Sequence, residues 1–225
     1  MIAIMIPAVI FALYAQFKVS INYNKYLKVT SQDGRSAHDI TRALLDKAGL
    51  QNVNIKITRG FLGDYYNDKT KTIALSESNY YSTSLSAIGV ACHEVGHALQ
   101  YQEGYKLIKL RNLLIPICNI GSSFTWILIL LGTLFYYTSI GTVFLWIGVS
   151  IFLLFVILNL ITLPIEYNAS SRAEQLLKNN GIFSDAELSA VKGVLNAAAL
   201  TYVANLIISL VNLLRLIMLL FRSRD

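Results

Sequence analysis

The chain has 225 residues, 55% of them hydrophobic and 14% charged, with a formal net charge of +6 and a mean hydropathy of +0.53. Soluble globular proteins hold about 25% charged residues, so this composition excludes an ordinary water-soluble domain and points to a membrane protein. The positive excess requires no nucleic-acid partner, because basic residues that flank membrane spans and meet anionic lipid headgroups account for it.

Residues 1–17 are apolar apart from Gln16, with no basic residue ahead of the run and Lys18 directly after it. That pattern reads as a retained anchor, covering 1–19, rather than a cleaved signal peptide. Residues 36–48 place Ala37, Ile40, Leu44 and Leu45 on one helical face, with Ser36 as N-cap and Gly49 as stop. The alternation over 53–58 predicts a strand and 72–75 a second, joined by a turn-rich connection over 60–70. Next, Ser82, Thr83 and Ser84 offer hydroxyl caps to a small and apolar run that meets no proline before Pro116, which predicts a helix over 84–100.

That helix carries His93-Glu94-Val95-Gly96-His97 and so uses two of only three histidines in the chain. Four residues apart on a helix, both imidazoles point the same way, with Glu94 rotated by about 100° beside His93. Two neutral imidazoles supply half of a tetrahedral Zn²⁺ shell, a third protein ligand completes the anchoring, and an open fourth position admits water. Glu94 is placed to take a proton from that water. Cys92 and Cys118 read as buried small hydrophobes rather than ligands or a disulfide.

Between Arg111 and Glu166 no charged residue occurs, a stretch far too long for a single crossing at about 20 residues per span. A hairpin is expected, with spans near 117–137 and 143–163 and the turn at Thr138-Ser139-Ile140-Gly141-Thr142. Thirteen of the nineteen Lys and Arg fall between the first and second spans and none in the hairpin turn. The positive-inside rule therefore puts the polar region in the cytoplasm and the amino terminus outside. A further helix is expected over 163–177, opened by Pro164 and stopped near Gly181. Ser184 and Glu187 form a capping box for a helix running into the last apolar segment, 197–221. Asn205, Asn212 and Arg215 lie inside that segment, so both a span and an interfacial helix lying in the membrane plane stay open for it. If it crosses, Arg222 and Arg224 end up outside.

The third ligand has to come from His38 or, better, from a carboxylate. Glu166, Glu174, Glu103, Asp64 and Asp68 are the candidates. Glu166 stands out because it lies one turn after a span, where an isolated carboxylate is costly unless neutralised. The small residues Ala169, Ser170 and Ala173 around it let its helix approach Gly96. Two crossings separate it from the histidines, which returns it to their side of the membrane.

Several stretches together support a resemblance. They are Ala15-Gln16-Phe17-Lys18-Val19, Ala91-Cys92-His93-Glu94-Val95-Gly96-His97-Ala98, Thr162-Leu163-Pro164-Ile165-Glu166-Tyr167-Asn168-Ala169-Ser170, and Ala197-Ala198-Ala199-Leu200-Thr201-Tyr202-Val203-Ala204. Over nearly its whole length the chain resembles the YugP-type membrane zinc metallopeptidases. The resemblance implies a bacterial membrane-bound neutral zinc peptidase with Glu166 as third ligand, in the manner of gluzincins. Where that family reads Leu-Thr-Asp-His-Tyr-Asp-Pro, this chain has Leu62-Gly63-Asp64-Tyr65-Tyr66-Asn67-Asp68, and Asn168 stands where an Asp is usual. Ser170 sits four residues after Glu166, where soluble gluzincins place an Asp that orients a metal-bound imidazole.

The expected fold class is thus mainly α. It is a polytopic membrane protein with a zincin-like cytoplasmic portion that contains a short β-sheet and the His-Glu-x-x-His helix. A single membrane-embedded domain is expected over 1–225: the anchor, a zincin-like portion over 20–112, the hairpin over 113–165, the third-ligand helix and capped helix start over 166–196, and the last apolar segment. The expected activity is zinc-dependent hydrolysis of peptide bonds at the surface of a bacterial plasma membrane, on proteins associated with that membrane. A strand beside the metal-bearing helix can hold an extended peptide by edge pairing. Tyr65, Tyr66, Tyr202 and Arg172 are candidates for stabilising the oxyanion. The residues leave room for a regulatory membrane partner or an oligomer. The rival reading is a zinc-binding membrane scaffold without catalysis, against which the retention of Glu94 argues, since Glu94 is not itself a ligand in this motif.

Overall fold

The structure is a computed structural model, which describes residues 2–59 and 63–221. Gly60, Phe61 and Leu62 of the expected connection, and Arg222 and Arg224, lie outside the described residues. In chain order the elements are α1 (Met5–Leu27), α2 (Ala37–Lys47), β1 (Asn54–Thr58), β2 (Tyr65–Asn67), β3 (Thr72–Ser76), α3 (Glu77–Tyr80), α4 (Leu85–Gln102), α5 (Lys106–Leu134), α6 (Ser139–Asn179) and α7 (Asp185–Phe221). The fold is mainly helical with one small sheet. The residues divide into two compact units, one formed by those up to 14, 106–164 and from 201 on, the other by 15–105 and 165–200.

Among the described residues four helices, α1, α5, α6 and α7, are long and apolar enough to cross a membrane. In the apolar unit Leu145, Val149, Leu216 and Leu220 form a packed cluster, while Ile10, Leu13, Leu113, Ile120, Trp126 and Leu130 face outward. Large apolar side chains on the outside are what a hydrocarbon solvent selects. Three threonines of these helices bond within their own turns. Thr125 Oγ1 donates to Gly121 O at 2.7 Å, Thr133 Oγ1 to Ile129 O at 2.7 Å and Thr162 Oγ1 to Leu158 O at 2.8 Å. A Cβ at Gly132 would lie 2.8 Å from Leu145 Cδ2, so α5 and α6 pack closely at that point.

Two helix boundaries differ from expectation. Pro116 and Pro164 both lie inside helices, α5 and α6, rather than at helix edges. Pro164 removes only the bond to Leu160 O, and ending a helix there would leave several backbone groups unpaired, which an apolar surrounding penalises more heavily. As expected, the 37-residue α7 runs without interruption from the capping box through the last apolar segment. The hairpin turn sits over 135–138, slightly earlier than expected.

The other unit is built on a three-stranded sheet of order β1-β3-β2, with β1 parallel and β2 antiparallel to β3. The central strand β3 is buried along its length, and the sheet joins α2 and α4 around Ile40, Leu44, Leu45, Ile73, Leu75, Ile88 and Val95. The predicted caps form. Ser36 Oγ accepts from Asp39 N, and Ser84 Oγ from Ala87 N. Glu187 Oε2 accepts from Ser184 N at 2.9 Å. Gly49 (φ 73°) and Gly181 (φ 61°) take the left-handed conformation that ends α2 and α6. The strand β2 was not expected. It is too short to show alternation, and it exists because Tyr65, Tyr66 and Asn67 pair with Ala74, Ile73 and Thr72.

Candidate metal centre

Three side chains from two helices of the sheet-containing unit converge. His93 and His97 lie one turn apart on α4, their rings 4.7 Å between centroids and nearly perpendicular at 84°. Glu166 comes from α6 and places Oε2 at 3.2 Å from His93 Nε2 and 3.5 Å from His97 Nε2. What brings the helices together is Gly96: a Cβ there would meet Ala169 O at 2.4 Å, so only glycine admits this approach. Ala169, three residues after Glu166, is itself fully buried.

The ring nitrogens pointing away from the cluster have their own partners. His93 Nδ1 lies 3.1 Å from Ser170 Oγ, and His97 Nδ1 lies 2.9 Å from Gln100 Oε1. With Nδ1 hydrogen-bonded, each Nε2 turns towards a carboxylate oxygen, so the centre gathers three electron pairs that repel unless positive charge lies between them. A proton on His97 can supply such charge. Burial disfavours the His97 imidazolium, but the Glu166 hydrogen bond and the Glu94 charge outweigh it and raise the His97 pKa. A metal ion supplies the charge equally well, and the spacing suits one. Two ligands at about 2.0–2.1 Å on a tetrahedral zinc are about 3.3 Å apart, and the three ligand atoms here all lie within 4.8 Å of one another. Imidazole and carboxylate donors match Zn²⁺.

Glu94 is buried on the same helix, within electrostatic reach of both imidazoles and of Glu166. Burial pushes its carboxyl above the usual carboxylate range, against the opposing pull of His97 and His93. A carboxylate with raised proton affinity is the better base.

The remaining carboxylates among the third-ligand candidates are engaged elsewhere. Asp64 accepts from Ser76 N at 2.7 Å and from Asn79 Nδ2 at 2.9 Å, tying the end of β3 to α3. Asp68 pairs with Lys71, Glu174 with Lys192 at 3.1 Å, and Glu103 with Arg172 through two bonds of 2.6 and 2.7 Å. The Arg172 guanidinium holds the Glu103 carboxyl below its usual range. His38 stacks on Tyr80 at 4.5 Å.

Among the oxyanion candidates, Arg172 is committed to Glu103 and to Asn168 Oδ1. Tyr65 is exposed on β2, and Tyr66 is half-buried against the ring of Tyr101 at 5.5 Å. Tyr202 belongs to the apolar unit. Cys92 and Cys118 are both buried and unpaired. Gln100, fully buried beside His97, is the residue that sequence reading passed over. A polar side chain three residues after a ligand on the same helix is too common a pattern to mark it.

The chain is similar over residues 1–221 to the family described as "Putative neutral zinc metallopeptidase". It is 42% identical over 220 residues to a Bacillus subtilis (strain 168) protein named "Putative membrane protease YugP", covering 98% of this chain and 96% of that one. No solved structure is significantly similar to it.

Proposed function

The chain belongs to the family described as "Putative neutral zinc metallopeptidase", and from that premise we propose that it is a zinc-dependent membrane endopeptidase acting on membrane-associated proteins. The observation that carries the reading is the convergence of His93 Nε2, His97 Nε2 and Glu166 Oε2 in one cluster. These three residues would hold Zn²⁺, which when bound supplies Lewis acidity towards a carbonyl and acidifies a water. Glu94 takes the proton of the attacking water and hands it to the leaving amine. Ser170 and Gln100 keep the imidazoles turned towards the cluster.

Substrate enters as an extended strand. β2 is an edge of the sheet and packs against α4, so its free backbone groups can pair with a peptide without regard to its sequence. Arg172, Ser170 and Tyr66 being engaged, Tyr65 is the candidate this reading keeps as donor to the oxyanion. Glu166 immediately follows the uncharged run of its helix, which favours substrates at the membrane surface. The distribution of Lys and Arg supports the cytoplasmic side for that surface.

Glu94 also favours catalysis over a non-catalytic scaffold, because a scaffold needs the three ligands and not a buried fourth acidic group. The test compares wild type with Glu94→Gln on an unfolded protein substrate in detergent. The proposal expects zinc retained in both and turnover reduced by at least about 100-fold in the variant. Equal turnover in the two, or none in either, favours the scaffold.

A further inference from the structure

Behind His97 runs a chain of hydrogen bonds whose direction is fixed from one end to the other. Glu103 accepts from Arg172 Nη1 and Nη2 at 2.6 and 2.7 Å. Arg172 Nε donates to Asn168 Oδ1 at 2.8 Å, and the same oxygen accepts from Gln100 Nε2 at 2.9 Å. Gln100 Nε2 also donates to Ile165 O at 2.8 Å, and Gln100 Oε1 faces His97 Nδ1 at 2.9 Å. A guanidinium only donates, so Asn168 must present its oxygen. Gln100 must then turn its amide nitrogen to Asn168 and Ile165, which leaves its oxygen for the imidazole. That oxygen needs a proton on Nδ1, and the neutral ring then has a bare Nε2.

We propose that Gln100, fully buried, is a positioning residue: held by Asn168 and the Ile165 carbonyl of α6, it fixes the His97 tautomer and ring plane that zinc binding requires. Both of its anchors flank Glu166, so one amide ties the ligand on α4 to the helix that carries the third. This rests on the zinc reading above and adds a device that the ligand trio alone does not show. Nothing in the local sequence marks it, since Gln100 and Asn168 are 68 residues apart.

The experiment measures the Zn²⁺ dissociation constant of the full chain in detergent, by competition with a chromophoric chelator, alongside the melting temperature of the zinc-free chain. Gln100→Met keeps the volume and loses the acceptor. It is expected to weaken zinc binding by about 10–100-fold, a loss beyond any lowering of the zinc-free melting temperature. Asn168→Asp keeps the accepting oxygen and is expected within about threefold of wild type. Asn168→Leu removes that oxygen and should weaken binding in the same sense as Gln100→Met, which keeps the test available if Gln100→Met does not fold. Zinc affinity within threefold of wild type in Gln100→Met or in Asn168→Leu overturns the proposal. So does a loss confined to the zinc-free melting temperature. A wild-type chain that binds no zinc, or a His97→Ala chain that binds it normally, refutes the metal reading itself, and the two failures are thereby told apart.

Discussion

Gly96→Ala tests how the metal centre is assembled. The added Cβ would lie 2.4 Å from Ala169 O and 3.0 Å from Ala169 C, against ordinary contacts that begin near 3.4 Å. Because the obstructing atoms are backbone, no rotamer change relieves them, and α4 and α6 must part by about 1 Å. Glu166 lies one turn from Ala169, so its Oε2 moves away from the two imidazoles by a comparable amount. The present spacings of 3.2 and 3.5 Å sit close to the edge of a tetrahedral zinc, about 3.3 Å. A further 1 Å takes one donor out of bonding range. The expected result is zinc affinity lower by about 100-fold or more, with about 1–3 kcal/mol of overpacking cost to the zinc-free fold. Chelator competition reads the first and denaturant melts the second. A Gly96→Ala chain with wild-type zinc affinity would refute the claim that this close approach sets the ligand spacing.

Three further outcomes follow from neighbouring contacts. Gly89→Ala places its Cβ 2.9 Å from Val191 Cγ1, a side-chain obstruction within the core; melts should show a loss of about 1–3 kcal/mol that adding Val191→Ala largely relieves, and unrelieved loss would argue against the contact. Asp64→Ala strips the acceptor from the buried groups Ser76 N and Asn79 Nδ2, and should cost about 1–3 kcal/mol while zinc content stays at the wild-type level. In the zinc-free chain the raised Glu94 pKa means that, above the unfolded value of about 4.3, the folded state holds the extra proton. Stability is therefore complete below that pH and falls as pH rises towards the folded pKa. Glu94→Gln should flatten that fall and melt higher than wild type at neutral pH, and parallel pH profiles would show that burial does not raise this group.

The local parts of this structure were legible because their signals are local. The spacing of His93 and His97, the caps Ser36 and Ser84, the stops Gly49 and Gly181 and the box of Ser184 with Glu187 each depend on residues within one helical turn. Glu166 could be singled out because a lone carboxylate beside a membrane span is expensive and so implies a partner. The strand β2 could not be read, since three residues carry no periodicity and its pairing partner β3 had to be in place first. Pro164 misled for the opposite reason. Its intrinsic preference for a helix start yields to an apolar surrounding in which any break exposes more backbone than the proline does. Asp64 offered ligand chemistry in the sequence and is a hydrogen-bond hub in the fold, while Gln100 offered nothing in the sequence and reaches across to Ile165 and Asn168.

Metal content of the purified chain and its single variants tests the central claim most directly. The account predicts about one zinc per chain, lost in His93→Ala and His97→Ala and much weakened in Glu166→Ala. Full zinc in Glu166→Ala, together with its loss from Asp64→Ala or Glu174→Ala, would contradict it.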